Sequence, residues 1–356
     1  MSDAARARAN ARTLIDVGRP AEALRILFES LAAEPDDAAA LRLVGQAYIA
    51  LDLSPKSSVD AIAAVRSSLA VDPENAHAFR ILAIAHSRLK QHPQAREAAL
   101  AAVRVEPNQW QSYAALAEAD AAARNVTKET ENAVSAALSI APGNPEVHFV
   151  AGRVAAAQGN ARLAAQHYQQ ALSINPDHTG ARNNLALIHL RRGNTGSAAA
   201  SFVGLLAQNP TSKLALYNLR IAALRGLRII NLVLWIAVVI VNASSEQRFG
   251  LDRAADRMLP IIMAILAVGV IAGYVLWVRN RSGAAFGRFV RSVPKTDRIL
   301  SAWAAFLAVT IVALIVAIFV PLNLTHAIYA CAAVGIFIGM VTMWIVSSTL
   351  RPPNTP

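Results

Sequence analysis

A single cysteine, Cys331, is present in 356 residues, so neither a disulfide framework nor a multi-cysteine zinc site can be built. Charge is scarce as well: Asp, Glu, Lys and Arg make up 16% of the chain, against roughly 25% in soluble domains. With 55% hydrophobic residues and a mean hydropathy of +0.37, the chain is neither disordered nor expected to be wholly soluble. The N-terminal MSDAARARANART has no apolar core of the kind a secretory signal needs, so membrane insertion is expected to use internal segments. No HExxH, GxSxG or phosphate-binding glycine loop occurs, and the eight histidines are scattered. No catalytic residue, metal site or cofactor is therefore expected.

The net charge of +11 is unevenly spread. Residues 1–212 hold 20 basic and 19 acidic side chains, whereas residues 213–356 hold 14 and 4. The basic excess thus lies in the half that also carries every long apolar run. That coincidence points to membrane flanks and not to nucleic acid.

Residues 1–212 repeat. Pro35, Pro73, Pro107, Pro142, Pro176 and Pro210 are spaced by 38, 34, 35, 34 and 34 residues, each following an apolar-periodic stretch. Such a proline, with Asp or Asn beside it, stops one helix and starts another. Between prolines the pattern gives two short amphipathic helices, often divided by glycine, as at Gly18, Gly159 and Gly193. Small, large, small and proline positions recur as Ala23, Leu27, Ser30, Pro35; as Ala95, Ala99, Ala102, Pro107; and as Ala164, Tyr168, Ala171, Pro176. First helices carry Val44-Gly45, Leu82-Ala83, Leu116-Ala117, Ala151-Gly152 and Leu185-Ala186. This combination resembles the tetratricopeptide repeat family over residues 4–225, and implies a helical solenoid of about six units in 1–212, closed by a connecting helix over 213–226.

The second half contains four apolar runs, at 227–242, 258–278, 299–320 and 327–348, followed by a short tail, 349–356. A span needs roughly 20 mostly apolar residues, which the last three satisfy. The first qualifies when Arg225 and Arg228 snorkel. Lys and Arg near the span ends number ten on the side of both termini and three on the other. The positive-inside rule then places both termini and the repeats in the cytoplasm. The expected fold class is all-α, a tetratricopeptide-like solenoid followed by a four-helix transmembrane bundle. Arginine outnumbers lysine 29 to 5 and alanine is abundant, a bias associated with GC-rich bacterial proteomes, and the expected location is a bacterial plasma membrane.

Small residues recur within the runs: Gly269 and Gly273 form a GxxxG, and Ala327, Cys331, Gly335 and Gly339 a ladder of four-residue steps. Such faces serve close helix packing, inside the bundle or against a partner membrane protein or second copy. Phe286, Arg288, Phe289 and Arg291, in the loop after the second run, suit the lipid headgroup layer.

In the resembled family, positions 2, 5, 9, 12 and 13 of first helices face the concave side. Position 5 holds Arg8, Arg42 and Arg80; position 9 adds Arg12 and Arg153; position 13 adds Arg88 and Arg191; Asn183, Asn184 and Asn218 follow towards the C-terminal end. The family's carboxylate clamp uses Lys and Asn in a set order that this sequence does not reproduce. The expected function is that of a non-enzymatic, membrane-anchored adaptor that recruits a cytoplasmic protein through an acidic segment. Alternatives are an accessory subunit of a transporter or envelope-polymer enzyme, and a lipid-handling membrane protein.

Overall fold

A computed structural model describes residues 2–51 and 54–243, together with positions 262, 269, 273, 276, 312, 335 and 336. The described residues are all-α. Six helix pairs come first: α1 (Asp3–Asp16) with α2 (Pro20–Ala33), α3 (Ala38–Leu51) with α4 (Pro55–Val71), α5 (Ala76–Arg88) with α6 (His92–Val105), α7 (Trp110–Ala123) with α8 (Lys128–Ile140), α9 (Pro145–Ala157) with α10 (Ala161–Ile174), and α11 (Thr179–Arg191) with α12 (Thr195–Gln208). A longer helix, α13 (Lys213–Ala243), follows.

Local chemistry sets these boundaries. Ser2, Ser54, Asn75, Asn144 and Asn160 each accept a backbone N–H in the first turn of the following helix, which removes one of the orphan donors at a helix start. Pro20, Pro55 and Pro145 stand at the first helical position, where the missing N–H costs nothing. In every pair but α3–α4, the connecting turn holds a left-handed residue. Gly18, Gly159 and Gly193 supply it with φ of 77°, 79° and 83°, and Lys90 and Arg124 adopt it at 59° and 53°.

The chain divides into two compact units, the first ending at Arg182 and the second beginning at Asn183. In the first unit each core cluster draws on more than one helix pair. Ala11 and Ile15 of α1 pack with Ala23 and Leu27 of α2 and with Leu43, Val44 and Ala47 of α3. Further along, Ala83, Ala95, Ala99, Leu116 and Ala133 join α5, α6, α7 and α8. No pair buries its apolar face alone, so stacking supplies the core. Small residues set the spacing: a Cβ on Gly45 would lie 2.4 Å from Val65 Cγ2. First helices of successive pairs also touch one another, α1 on α3, α3 on α5, α5 on α7 and α7 on α9. They therefore line one continuous face.

In the second unit, Ala186 and Leu190 of α11 and Phe202 and Leu205 of α12 form a core with Ala215, Leu219 and Ala222 of α13. Arg225 closes this contact by donating to the Leu190 carbonyl. α13 continues through residue 226 to Ala243 without interruption, so the connecting segment and the first apolar run share one helix. Among the described residues, no helix is long and apolar enough to cross a membrane. The runs 258–278, 299–320 and 327–348 lie outside the described residues apart from the single positions given above. So do Phe286, Arg288, Phe289, Arg291, Ala327, Cys331 and Gly339. Of the small-residue face, Gly269, Gly273 and Gly335 are described, and all three are helical.

Candidate interaction groove

The face made by the first helices gathers the arginines that the repeat register marked, and the protein's own carboxylates engage several of them. Arg8 of α1 forms an ion pair with Asp37, a nearly buried side chain. Asp37 Oδ1 meanwhile accepts the N–H of Ala39 at 3.1 Å and of Ala40 at 3.0 Å, opening α3. One carboxylate thus caps a helix and draws Arg8 aside. Arg80 of α5 pairs with Glu106 at 3.0 Å. Arg153 of α9 donates to Glu118 of α7 at 2.7 Å and lies 6.0 Å from the centre of the Phe149 ring. Burial pushes the Glu118 carboxyl up, against the pull of Arg153. Arg88 reaches back to the Ile49 carbonyl at 2.7 Å, tying α5 to α3.

Arg42 is different. It is half-buried on α3, and among the described residues it forms no ion pair; its Nη1 instead donates to His77 Nδ1 at 2.8 Å. An imidazole that accepts at Nδ1 carries its proton on Nε2, so His77 presents a second donor. Burial, then Arg12 and Arg80, lower the Arg42 pKa, while Asp72 opposes them. Burial, then Arg42, Arg80 and Arg12, lower His77 to about 4. Arg12, on α1, is exposed. His77 is thus the hydrogen-bond partner of Arg42, and Arg12 and Arg80 are the cations that act on both.

Beside this cluster, a cleft of about 660 Å³ is lined by Arg8, Arg42, Glu34, Asp36, Asp37 and Asp72, among others. It opens where the loop before α3 meets the loop before α5.

The remaining marked residues lie in the second unit. Asn183 and Asn218 are buried, and Asn218 Nδ2 donates to Asn183 Oδ1 at 2.9 Å, linking α11 to α13. Asn183 Nδ2 donates to Asn184 Oδ1 at 3.3 Å. Arg191 is exposed. His77, Asp37, Glu106 and Glu118 were not singled out by the sequence reading. His77 alone carried a usable signal, since it occupies position 2 of its first helix.

The tetratricopeptide repeat family model matches residues 8–55, 60–112 and 149–219. Residues 8–219 are a tetratricopeptide-repeat array, and the chain has the fold of a protein-interaction scaffold, a fold that typically is not catalytic. A comparison with curated proteins finds no match. Among solved structures, the chain is similar to the tetratricopeptide protein TTC0263 of Thermus thermophilus, at 22% identity and a TM-score of 0.48, over 52% of this chain and 98% of that one. It is also similar to YrrB, described as a tetratricopeptide protein with an unusual peptide-binding site, at 22% identity and a TM-score of 0.37, over 50% of this chain and 90% of that one. The Cut9–Hcn1 hetero-tetramer structure aligns over 83% of this chain and 48% of that one, at 14% identity and a TM-score of 0.49.

Proposed function

We propose that the protein is a membrane-anchored scaffold that recruits a cytoplasmic protein by an acidic segment laid on the first-helix face. The observation that carries this reading is the collection of Arg12, Arg42 and Arg80 on three successive first helices, with Arg42 in no ion pair among the described residues. Exposed single pairs contribute about 0–1 kcal/mol. Partly desolvated guanidinium groups acting together hold carboxylates more firmly and in fixed geometry.

The anchoring half of the proposal rests on the four apolar runs and on the ten-to-three distribution of basic residues at their ends. The array then faces the cytoplasm of a bacterial cell, and the runs hold the bilayer, a membrane partner or a second copy. No catalysis is assigned to this chain.

Recovery of partners from mild-detergent extracts tests the recruiting half. Changing Arg42 and Arg80 together to Glu should abolish recovery of the bound protein and leave the membrane fraction of the scaffold unaltered. Rising salt should weaken the native contact, because exposed charges are screened over about 8 Å at physiological ionic strength. Arg351→Glu, outside the array, serves as the control. Unchanged recovery by the double variant across the salt series would refute the groove assignment.

A further inference from the structure

We infer that the end of the second unit from which α13 emerges seats on the headgroups of anionic phospholipids, through Arg191, Arg192, Arg225 and Arg228. This rests on the membrane-anchored reading and adds to it a lipid site within the repeat array.

The course of α13 defines that end. Asn218 of α13 donates to Asn183 of α11, and Arg225 of α13 donates to the Leu190 carbonyl of α11. Both bonds join residues 35 positions apart, so α13 runs parallel to α11 and in constant register with it. In that register residue 226 lies level with Arg191, where α11 ends. α13 nevertheless continues to Ala243. Residues 227–243 therefore project about 25 Å past the end of α11, at a rise of about 1.5 Å per residue.

Four guanidinium groups gather where the projection begins. The bond to Leu190 sets Arg225 beside Arg191 and Arg192, which follow Leu190 directly in the chain. Arg191, marked by the repeat register as a groove residue, thus stands at the end of α11. Arg228 lies about one turn further along α13, and all four arginines are exposed. The chain around them supplies no counter-charge: residues 178–245 include seven Lys or Arg and no Asp or Glu. Turns of the first unit are neutralised locally instead, Arg19 by Glu22 at 2.5 Å and Lys128 by Glu131 at 3.2 Å.

Nucleic acid or an acidic protein would also be drawn to a basic collar. The projecting helix favours a bilayer over both. Leu232 and Ile236 stand one turn apart on it and are 48% and 45% exposed. The surface thus changes from cationic to apolar in passing outward along α13. A bilayer has its layers in that order, anionic headgroups and then hydrocarbon. Each Lys or Arg near an anionic leaflet raises binding about fivefold. Nucleic acid offers phosphates without the apolar layer.

The test uses the full chain with Cys331→Ser and Asn194→Cys, the introduced thiol carrying a bimane fluorophore. Asn194 lies in the turn between α11 and α12 and makes no side-chain cap bond. The chain is reconstituted in phosphatidylcholine bilayers that hold a minority of phosphatidylglycerol. Trace lipid with a nitroxide near its headgroup quenches the label on contact. Nitroxide phosphatidylglycerol should quench at least threefold more than nitroxide phosphatidylcholine at equal mole fraction, and high salt should abolish the difference. A label at Thr211→Cys, at the opposite end of α12, should show no such preference. Arg191→Gln, Arg192→Gln and Arg228→Gln together should remove the preference, and lysine at the same three positions should restore it. Arg225 is kept because it closes the contact between α11 and α13. Circular dichroism melts confirm that each variant is folded. Equal quenching by the two lipids overturns the inference. So does quenching by neither while the chain withstands an alkaline carbonate wash of the bilayers, and in both cases the anchored reading stands. A preference that lysine does not restore also overturns it, since charge would then not carry the contact. Abolition by millimolar inorganic phosphate at matched ionic strength overturns it as well, assigning the arginines to a soluble anion. Release of the chain by the carbonate wash refutes the anchored reading together with the inference.

Discussion

Gly152 of α9 faces the ring of Tyr168 of α10 so closely that a Cβ at position 152 would lie 2.5 Å from Cε1. Tyr168 is 2% exposed, so its ring has no free volume to retreat into. Gly152→Ala should therefore force the two helices apart and cost about 1–3 kcal/mol, the usual range for overpacking a core. Gly204, inside α12, has no neighbour within 4 Å of its hypothetical Cβ. There alanine should stabilise by about 0.4–1 kcal/mol through the lower entropy of the unfolded chain. Urea unfolding of the two variants checks the opposite signs.

That pair was readable in the sequence. Gly152 and Tyr168 both fall on recurring positions of the 34-residue period, and a period records which residues must be small where helices touch. The same logic exposed the helix pairs and their order. The cationic cluster was only half readable. Register placed Arg8, Arg42 and Arg80 on one face, but a register carries no information about which carboxylate a long side chain will find. Asp37 lies beside a repeat proline and looks like a cap; that it also engages Arg8 depends on how α1 packs over the start of α3. Asn183 and Asn218 illustrate the same limit, since the sequence marks them as groove positions and folding buries them against each other.

The turn between α7 and α8 places Arg124 at φ 53°, and that between α5 and α6 places Lys90 at φ 59°. Gly18, Gly159 and Gly193 fill the equivalent position elsewhere. A left-handed conformation costs an L-residue roughly 1–2 kcal/mol, while glycine loses about 0.5–1 kcal/mol more than alanine in ordering. Arg124→Gly and Lys90→Gly should thus each stabilise the array by about 0.5–1 kcal/mol. Raised denaturation midpoints, with unaltered slopes, are the expected result.

His77 gives a pH signature to the cluster. Burial and the neighbouring Arg42, Arg80 and Arg12 hold it at about 4, against an ordinary 6.5. The unfolded chain therefore binds more protons than the native one between those values. Stability rises with pH across that window and is lost as pH falls from 6.5 towards 4. Arg42→Gln removes one repelling charge, so the His77 titration should move up towards 6.5 and its share of the slope should shrink. An NMR titration of the His77 ring, in the native protein and the variant, reads the shift directly. An unchanged midpoint would place the guanidinium of Arg42 away from the ring.

The distribution of charge along the second half makes the last prediction. Arg220, Arg225 and Arg228 precede the first apolar run; Arg279, Arg281, Arg288, Arg291, Lys295 and Arg298 separate the second from the third; and Arg351 follows the fourth. The loop between the first two runs holds Arg248, Arg253 and Arg257, but also Glu246, Asp252 and Asp256, and the loop between the last two holds no Lys or Arg. Orientation follows the basic residues of short loops, with little influence from acidic ones. A cysteine introduced in 243–257 should therefore react with an impermeant maleimide applied to intact bacterial spheroplasts. One introduced in 279–298 should react only after the membrane is permeabilised. Cys331→Ser supplies the unreactive background. Reporter fusions after Pro356 should be active only in the cytoplasm. Labelling of the 279–298 loop from outside would overturn the assignment, either by inverting it and taking the repeat array away from any cytoplasmic partner or because the first run does not cross, two outcomes that an N-terminal reporter separates, whereas labelling of neither loop in intact spheroplasts would mean that neither of the first two runs crosses the membrane.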